Sequence, residues 1–125
     1  MSENKEYISQ QLENGSIQIS EDVIVSIASM AALDVEGVYG LGSSGTELTK
    51  LAKKAVNRDV RVEITEDDEI SIDCYIIVLY GHSVVDVAKA VQEAVVSAVE
   101  STTGRPVKDV NVSVGGISVP KTGKK

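Results

Sequence analysis

The stretch Ile70-Ser-Ile-Asp-Cys-Tyr-Ile-Ile-Val-Leu-Tyr-Gly81 decides the fold of this chain. Apolar residues alternate along it, which predicts a long strand. The segment from Ser83 to Thr103 then carries valines and alanines at helical spacing, with a capping box predicted at its start, and Gly104-Arg-Pro106 ends that helix. Val107 to Val114 alternates again. The C-terminal half therefore reads as strand, helix, strand.

A similar unit opens the chain. Ser16 to Ile19 predicts a short strand, and Glu21 to about Asp34 predicts a helix that Gly37 ends. One face of this helix is expected to be buried: Ile24, Ile27, Ala28, Ala31 and Val35. A short amphipathic helix at Leu48–Val56 and a strand at Val60–Ile64 follow.

The order of these elements predicts the fold class. The order β-α-β-β-α-β, with the short extra helix after the first unit, predicts an α+β single domain. We expect a mostly antiparallel four-stranded sheet with two long helices on one face, in a ferredoxin-like arrangement.

Composition sets the domain limits and excludes several classes of protein. Residues 1–14 are polar and are predicted to be a flexible N-terminus, 15–119 to be the domain, and 120–125 to be a basic flexible tail. The chain of 125 residues carries a net charge of −7, which disfavours nucleic acid as a partner. It has neither Phe nor Trp, so Val, Ile, Leu and Ala must fill the core.

No stretch of the sequence predicts membrane insertion. The longest uninterrupted apolar run, Tyr75 to Tyr80, is far too short to span a bilayer, and no N-terminal apolar run resembles a signal peptide. The single cysteine, Cys74, excludes an intramolecular disulfide. We therefore expect a cytoplasmic protein.

Two sequence motifs resemble ligand sites. Gly40-Leu-Gly-Ser-Ser-Gly45 matches the G-x-G-x-x-G spacing of dinucleotide-binding loops, but the strand before it is short and no further βαβ units follow. A loop without a nucleotide is the favoured interpretation. Glu66-Asp-Asp-Glu69 offers four carboxylates to a hard cation, but it lacks the alternating oxygens and the turn glycine of calcium loops. A solvated hairpin turn is favoured there.

Cys74 and His82 are the only candidates for nucleophilic chemistry. Cys74 alternates in phase with the apolar residues of its strand, which is typical of a small core side chain. His82 precedes a helix N-cap, and no third group is identified that would orient a Cys–His pair. The sequence therefore predicts no catalytic, cofactor-binding or metal-binding residue.

An apolar stripe on the long strand is the candidate binding surface. Tyr75, Ile77 and Leu79 alternate on the face of the sheet opposite the two long helices. An apolar stripe on a soluble protein needs a cover. Either the Leu48–Val56 helix covers it, or another subunit or a partner protein does. Both alternatives stay open at this point.

Several segments together resemble one known family. Gly15-Ser-Ile-Gln-Ile-Ser20, Val35-Glu-Gly-Val38, Ile72-Asp-Cys-Tyr-Ile-Ile-Val-Leu-Tyr-Gly81 and Val110-Asn-Val-Ser-Val114 resemble, in order and spacing, segments of the alkaline-shock protein family. These are small general-stress, or envelope stress response, proteins of Gram-positive bacteria. The resemblance covers roughly residues 15 to 117.

The resemblance implies a function as well as a fold. It implies a non-enzymatic cytoplasmic interaction or scaffold protein of the envelope stress response. Such a protein works by protein–protein contact, reaches the membrane in some cases through a membrane-anchored partner, and self-associates in some members. It implies no catalytic residue. The alternative that it leaves open is a regulator or accessory protein of fatty-acid and lipid biosynthesis.

Overall fold

The computed structural model describes residues 7–42 and 59–119 of the chain. Its elements are, in order, β1 (Tyr7–Leu12), β2 (Gly15–Ser20), α1 (Glu21–Leu33), β3 (Val38–Leu41), β4 (Val60–Ile64), β5 (Ile70–Leu79), α2 (Val84–Thr103) and β6 (Val107–Ser118). The predicted α+β class, with two helices and a mostly antiparallel sheet, is confirmed. The predicted Leu48–Val56 helix and the tail at 120–125 lie outside the described residues.

Strand β5 is the centre of the main sheet. β6 pairs with it in parallel along one edge, from Ile70↔Val107 to Leu79↔Ser118. On the opposite edge β4 pairs antiparallel with the first half of β5, and β3 pairs antiparallel with the second half. β3 and β4 therefore lie end to end, and the four strands form a sheet only three strands wide.

The N-terminal strands differ from the sequence prediction. β2 pairs with β1 in a separate two-stranded antiparallel sheet, whereas the ferredoxin-like arrangement needs the first strand in the main sheet. The prediction that residues 1–14 are flexible is wrong for Tyr7–Leu12, which form β1. The polar sequence of β1 gives no strand pattern, but Ile8 pairs with Ile19 and is buried in the core, which stabilises the hairpin.

The helix ends follow their local sequence. Ser83 Oγ accepts a hydrogen bond of 3.3 Å from the backbone N–H of Asp86, as the predicted capping box requires. Gly104 ends α2 in the left-handed conformation at φ 74°. Ser20 occupies the N-cap of α1, but its side chain makes no capping hydrogen bond.

The core lies between the sheet and the two helices. It consists of isoleucine, valine and alanine together with Cys74, as the absence of Phe and Trp requires. α2 buries the face that its valine spacing predicts: Val87, Val91, Val95 and Val99. α1 is rotated from its predicted phase, because its buried residues are Ile24, Val25, Ala28 and Ala32.

Candidate functional site

The two nucleophilic candidates are not brought together. Cys74 is fully buried in the core, and burial, followed by the negative charge of Asp73, raises the pKa of its thiol to about 11. His82 is exposed beyond the end of β5. Roughly 17 Å of extended strand separates Cys74 from Leu79, the last residue of β5. A Cys–His pair therefore does not form.

The glycine motif begins inside a strand. Gly40 and Leu41 belong to β3, where they pair with Ile77 and Ile76, so the prediction that Gly40–Gly45 is a loop is wrong for these two residues. The reason is that β5 offers them a free edge beyond the end of β4. Gly42 continues the contact, since its N–H donates to the carbonyl of Tyr75 at 2.8 Å. Residues 43–45 lie outside the described part of the chain.

The acidic segment is the hairpin turn between β4 and β5. Thr65 Oγ1 accepts from the backbone N–H groups of Asp67 and Glu69, at 3.3 and 3.1 Å. Arg105 Nη2 lies 3.2 Å from Asp68 Oδ2, and Lys108 Nζ lies 3.8 Å from Glu69 Oε1. Within residues 7–42 and 59–119, no three His, Cys, Asp or Glu side chains are grouped to hold a metal ion.

The apolar stripe on the outer face of β5 differs in exposure along its length. Tyr75 is 46% exposed, Leu79 is half-buried, and Ile77 is only 7% exposed. Ile77 is not part of the core cluster, and its neighbours across both edges are glycines, Gly40 and Gly116. The accessible part of the stripe is therefore centred on Tyr75.

Two further exposed tyrosines lie at this end of the sheet and were not identified from the sequence. Tyr39 lies at the bulge of β3 between Val38 and Gly40 and is 62% exposed, and Tyr80 follows β5 directly and is also exposed. The composition offered a signal that could have found them. The chain has only four aromatic side chains, all tyrosine, and three of them lie at this end of the sheet.

A polar region bounds the stripe toward the start of β5. Asn111 on β6 donates from Nδ2 to Asp73 Oδ1 at 3.0 Å, across the outer face of the sheet. Arg61 and Glu63 on β4 are exposed beside it. The outer face is thus divided into a charged half and an aromatic half.

The helices show no membrane span. Neither α1 nor α2 is long and apolar enough to cross a bilayer, and these are the helices in the described residues.

The fold and its surfaces define a small α+β domain with exposed tyrosines at one end of its main sheet. A family model described as the alkaline-shock protein 23 family, cell envelope-related function, matches residues 9–119, and the chain belongs to this family. This confirms the resemblance seen in the sequence. The family's function is related to the cell envelope.

Two relatives come from Bacillus subtilis (strain 168). The chain is 40% identical over 111 residues to the uncharacterized protein YloU, covering 84% of this chain and 90% of the relative. It is 32% identical over 105 residues to the uncharacterized protein YqhY, covering 82% and 77%. Among solved structures, the MamM CTD H264E variant is 22% identical with a TM-score of 0.48 and covers 76% of this chain and 93% of that one.

Proposed function

We propose that the chain serves its envelope-related family function as a non-enzymatic interaction or scaffold protein. It works in the cytoplasm by protein–protein contact, and it reaches the membrane through a membrane-anchored partner protein. The cell envelope-related function of the family supports this setting. The contact surface is the aromatic patch, which we define as Tyr39, Tyr75, Ile77 and Leu79.

One observation carries the proposal: the exposure of Tyr75 in the middle of a central strand. β5 is hydrogen-bonded on both edges around this residue, by Gly42 on one side and by β6 on the other. The opposite face of β5 is closed by the core. Tyr75 therefore stands on a rigid surface, and such a surface loses little conformational entropy when a partner binds.

The residue types in the patch suit a protein partner. Tyrosine is enriched at the energetic centres of interfaces, because its ring buries a large area and its hydroxyl group can form a hydrogen bond. The flanking half-buried Leu79 adds apolar area. Exposed tyrosines beside apolar side chains on a strand are the arrangement that partner binding would cover.

Capture of partners with a matched pair of variants tests the proposal. Tyr75→Ser alters the patch, and Tyr7→Ser on β1 alters a tyrosine of nearly equal exposure, 47% against 46%, in another strand pair. Crosslinking in cells, followed by identification of bound proteins, should recover about tenfold less partner with Tyr75→Ser. Tyr7→Ser should recover as much as the unmodified chain.

Two further measurements separate binding from folding. Melting curves of both tyrosine variants should match that of the unmodified chain, since neither side chain is in the core. Ile77→Ser is a less clean probe, because Ile77 is buried and its loss should also lower the melting temperature. Light scattering will show whether the patch joins copies of the chain. Equal recovery from Tyr75→Ser and Tyr7→Ser contradicts the proposal, and recovery of a lipid-synthesis enzyme alone favours the regulatory alternative.

A further inference from the structure

A groove of about 650 Å³ lies between the two helices, on the side of the molecule opposite the aromatic patch. α1 contributes Ile27, Met30 and Ala31 to its lining, and α2 contributes Ala94, Ser97 and Ala98. The side chains from α2 are small, so the backbone of a bound segment could come close to this helix. Small residues serve this purpose wherever helices pack tightly.

The wall formed by α1 is apolar where solvent-facing helices are usually charged. From Val23 to Leu33 the helix has no charged side chain. Met30 is 66% exposed, and Val23 and Leu33 are also exposed. The solvent-facing side of a surface helix is normally charged or polar, and methionine is frequent at surfaces that adapt to a bound helix. These features are typical of a helix face that binds another protein segment.

Of the described residues that line the groove, the charged one is acidic. Asp34, the C-cap of α1, lines the groove at the negative end of the helix dipole, and the last turn of α1 has no basic residue. On α2, Glu93 is exposed directly before the groove-lining Ala94, so Asp34 and Glu93 form the acidic rim of the groove. Lys89 is the only cationic side chain on the two helices.

This charge pattern selects among the occupants that an apolar groove could accept. A second copy of the chain also carries a net charge of −7, so the acidic rim would repel it, and anionic lipid would be repelled in the same way. An amphipathic helix laid along the groove would bury its apolar stripe there, and basic residues beside that stripe would meet the acidic rim. We propose that the groove binds an amphipathic helix of a protein partner whose apolar stripe is flanked by Lys and Arg.

This inference rests on the proposed function, protein–protein contact, but it uses a different surface. A chain with two binding surfaces on opposite faces can hold two partners at once. That is the physical requirement for a scaffold.

Labelled peptides of opposite charge test the groove directly. We suggest two peptides of roughly 18 residues, long enough to form a helix, with the same leucine stripe flanked by Lys in one and by Glu in the other. Fluorescence anisotropy should show at least about tenfold tighter binding of the Lys peptide. Its affinity should fall as the salt concentration rises from about 0.05 to about 0.5 M.

Variants of the chain then locate the bound peptide. Met30→Ser and Asp34→Lys should each weaken binding of the Lys peptide by about fivefold or more. Val85→Ser changes a side chain that is 62% exposed on α2 outside the groove, and Glu66→Lys makes a charge change at the distant β4–β5 turn. Both controls should bind like the unmodified chain. Met30 and Asp34 are exposed, so their variants should keep the native melting temperature.

The alternative outcomes are distinct. Equal binding of the two peptides, or equal losses in the groove variants and the controls, would overturn the proposal. So would a molecular mass that falls on Met30→Ser without any peptide binding, because the groove would then join two copies of the chain. Tyr75→Ser should leave peptide binding unchanged, so failure of the aromatic patch and failure of the groove can be told apart.

Discussion

Gly37 lies directly against Val87, at the point where the segment after α1 passes the first turns of α2. A Cβ atom on Gly37 would come within 2.7 Å of Val87 Cγ2 and 3.1 Å of His82 Nδ1. The carbonyl of Gly37 accepts a hydrogen bond of 2.8 Å from Leu79 N–H, so its backbone is held between the end of β5 and α2. The lack of a side chain at Gly37 therefore lets this segment pass close to the start of α2.

Substitution of Gly37 should be more costly than substitution of another glycine with similar backbone geometry. Gly37 has φ 99° and Gly81 has φ 103°, but a Cβ on Gly81 meets nothing within 4 Å. Gly81→Ala should lose about 1–2 kcal/mol of unfolding free energy to backbone strain. Gly37→Ala should lose at least about 1 kcal/mol more, because Val87 must move. Urea unfolding measures both, and equal losses would show that the contact is easily relieved.

The buried face of α2 should not tolerate charge. Val91 and Val95 are fully buried, so Val→Asp at either position places an unpaired charge in the core and should cost about 3–5 kcal/mol. A domain of this size holds about 5–15 kcal/mol in total, so much of the population should unfold. Glu93→Lys on the exposed side should stay within about 0.5 kcal/mol. Circular dichroism melts provide the comparison, and similar melts for all three would mean that the phase of α2 is wrong.

The two ion pairs near the β4–β5 turn should differ in their effect on stability. Arg105 and Asp68 have side chains that are only 28% and 16% exposed, whereas Lys108 and Glu69 are 56% and 52% exposed. Arg105→Met should therefore lose about 1–3 kcal/mol. Lys108→Met should change the unfolding free energy by less than about 0.5 kcal/mol, because water screens an exposed pair. Chemical denaturation of the two variants tests this ranking, and a larger loss for Lys108→Met would reverse it.

The purified chain should show no affinity of its own for anionic membranes. Its net charge of −7 is repelled by anionic lipid, and neither described helix could span a bilayer. Sedimentation with anionic liposomes should leave the protein in the supernatant. Neutral liposomes are the control for contact through the apolar groove. Strong pelleting with the anionic vesicles alone would show that the basic residues of the chain outweigh its net charge.

Sequence periodicity predicted the elements whose apolar pattern is long. β5 and α2 carry many alternating or helically spaced valines and isoleucines, and their ends differ from the prediction by one residue or so. β1 was missed because Ser9, Gln10 and Gln11 interrupt its pattern, although Ile8 is buried. Short polar strands are stabilised by pairing with a neighbour, and that pairing depends on residues distant in the sequence.

The candidate surfaces were predictable only in part. Tyr75 was identified because it alternates out of phase with the core residues of β5. Tyr39 was missed because β3 has only four residues and pairs through a bulge. The groove depends on the rotation of α1, which leaves Ile27 and Ala31 partly buried at the edge of the core, where they also line the groove. A helix that is apolar almost all round leaves its rotation undetermined by periodicity, and the contact with α2 decides it.

Ionisation of Cys74 should weaken the fold at alkaline pH. Its thiol pKa is raised from 9.0 to about 11, first by burial and then by the charge of Asp73, so the folded state holds its proton more tightly than the unfolded state does. The resulting stabilisation is fully present below pH 9 and is lost as the pH rises through about 11. The total loss should be about 3 kcal/mol.

Urea unfolding at a series of pH values will measure this loss. Cys74→Ala is the control for the other effects of alkaline pH: it should lose some stability at neutral pH and then decline less steeply above pH 9. If the unmodified chain and Cys74→Ala decline in parallel, the thiol does not contribute to the alkaline loss of stability.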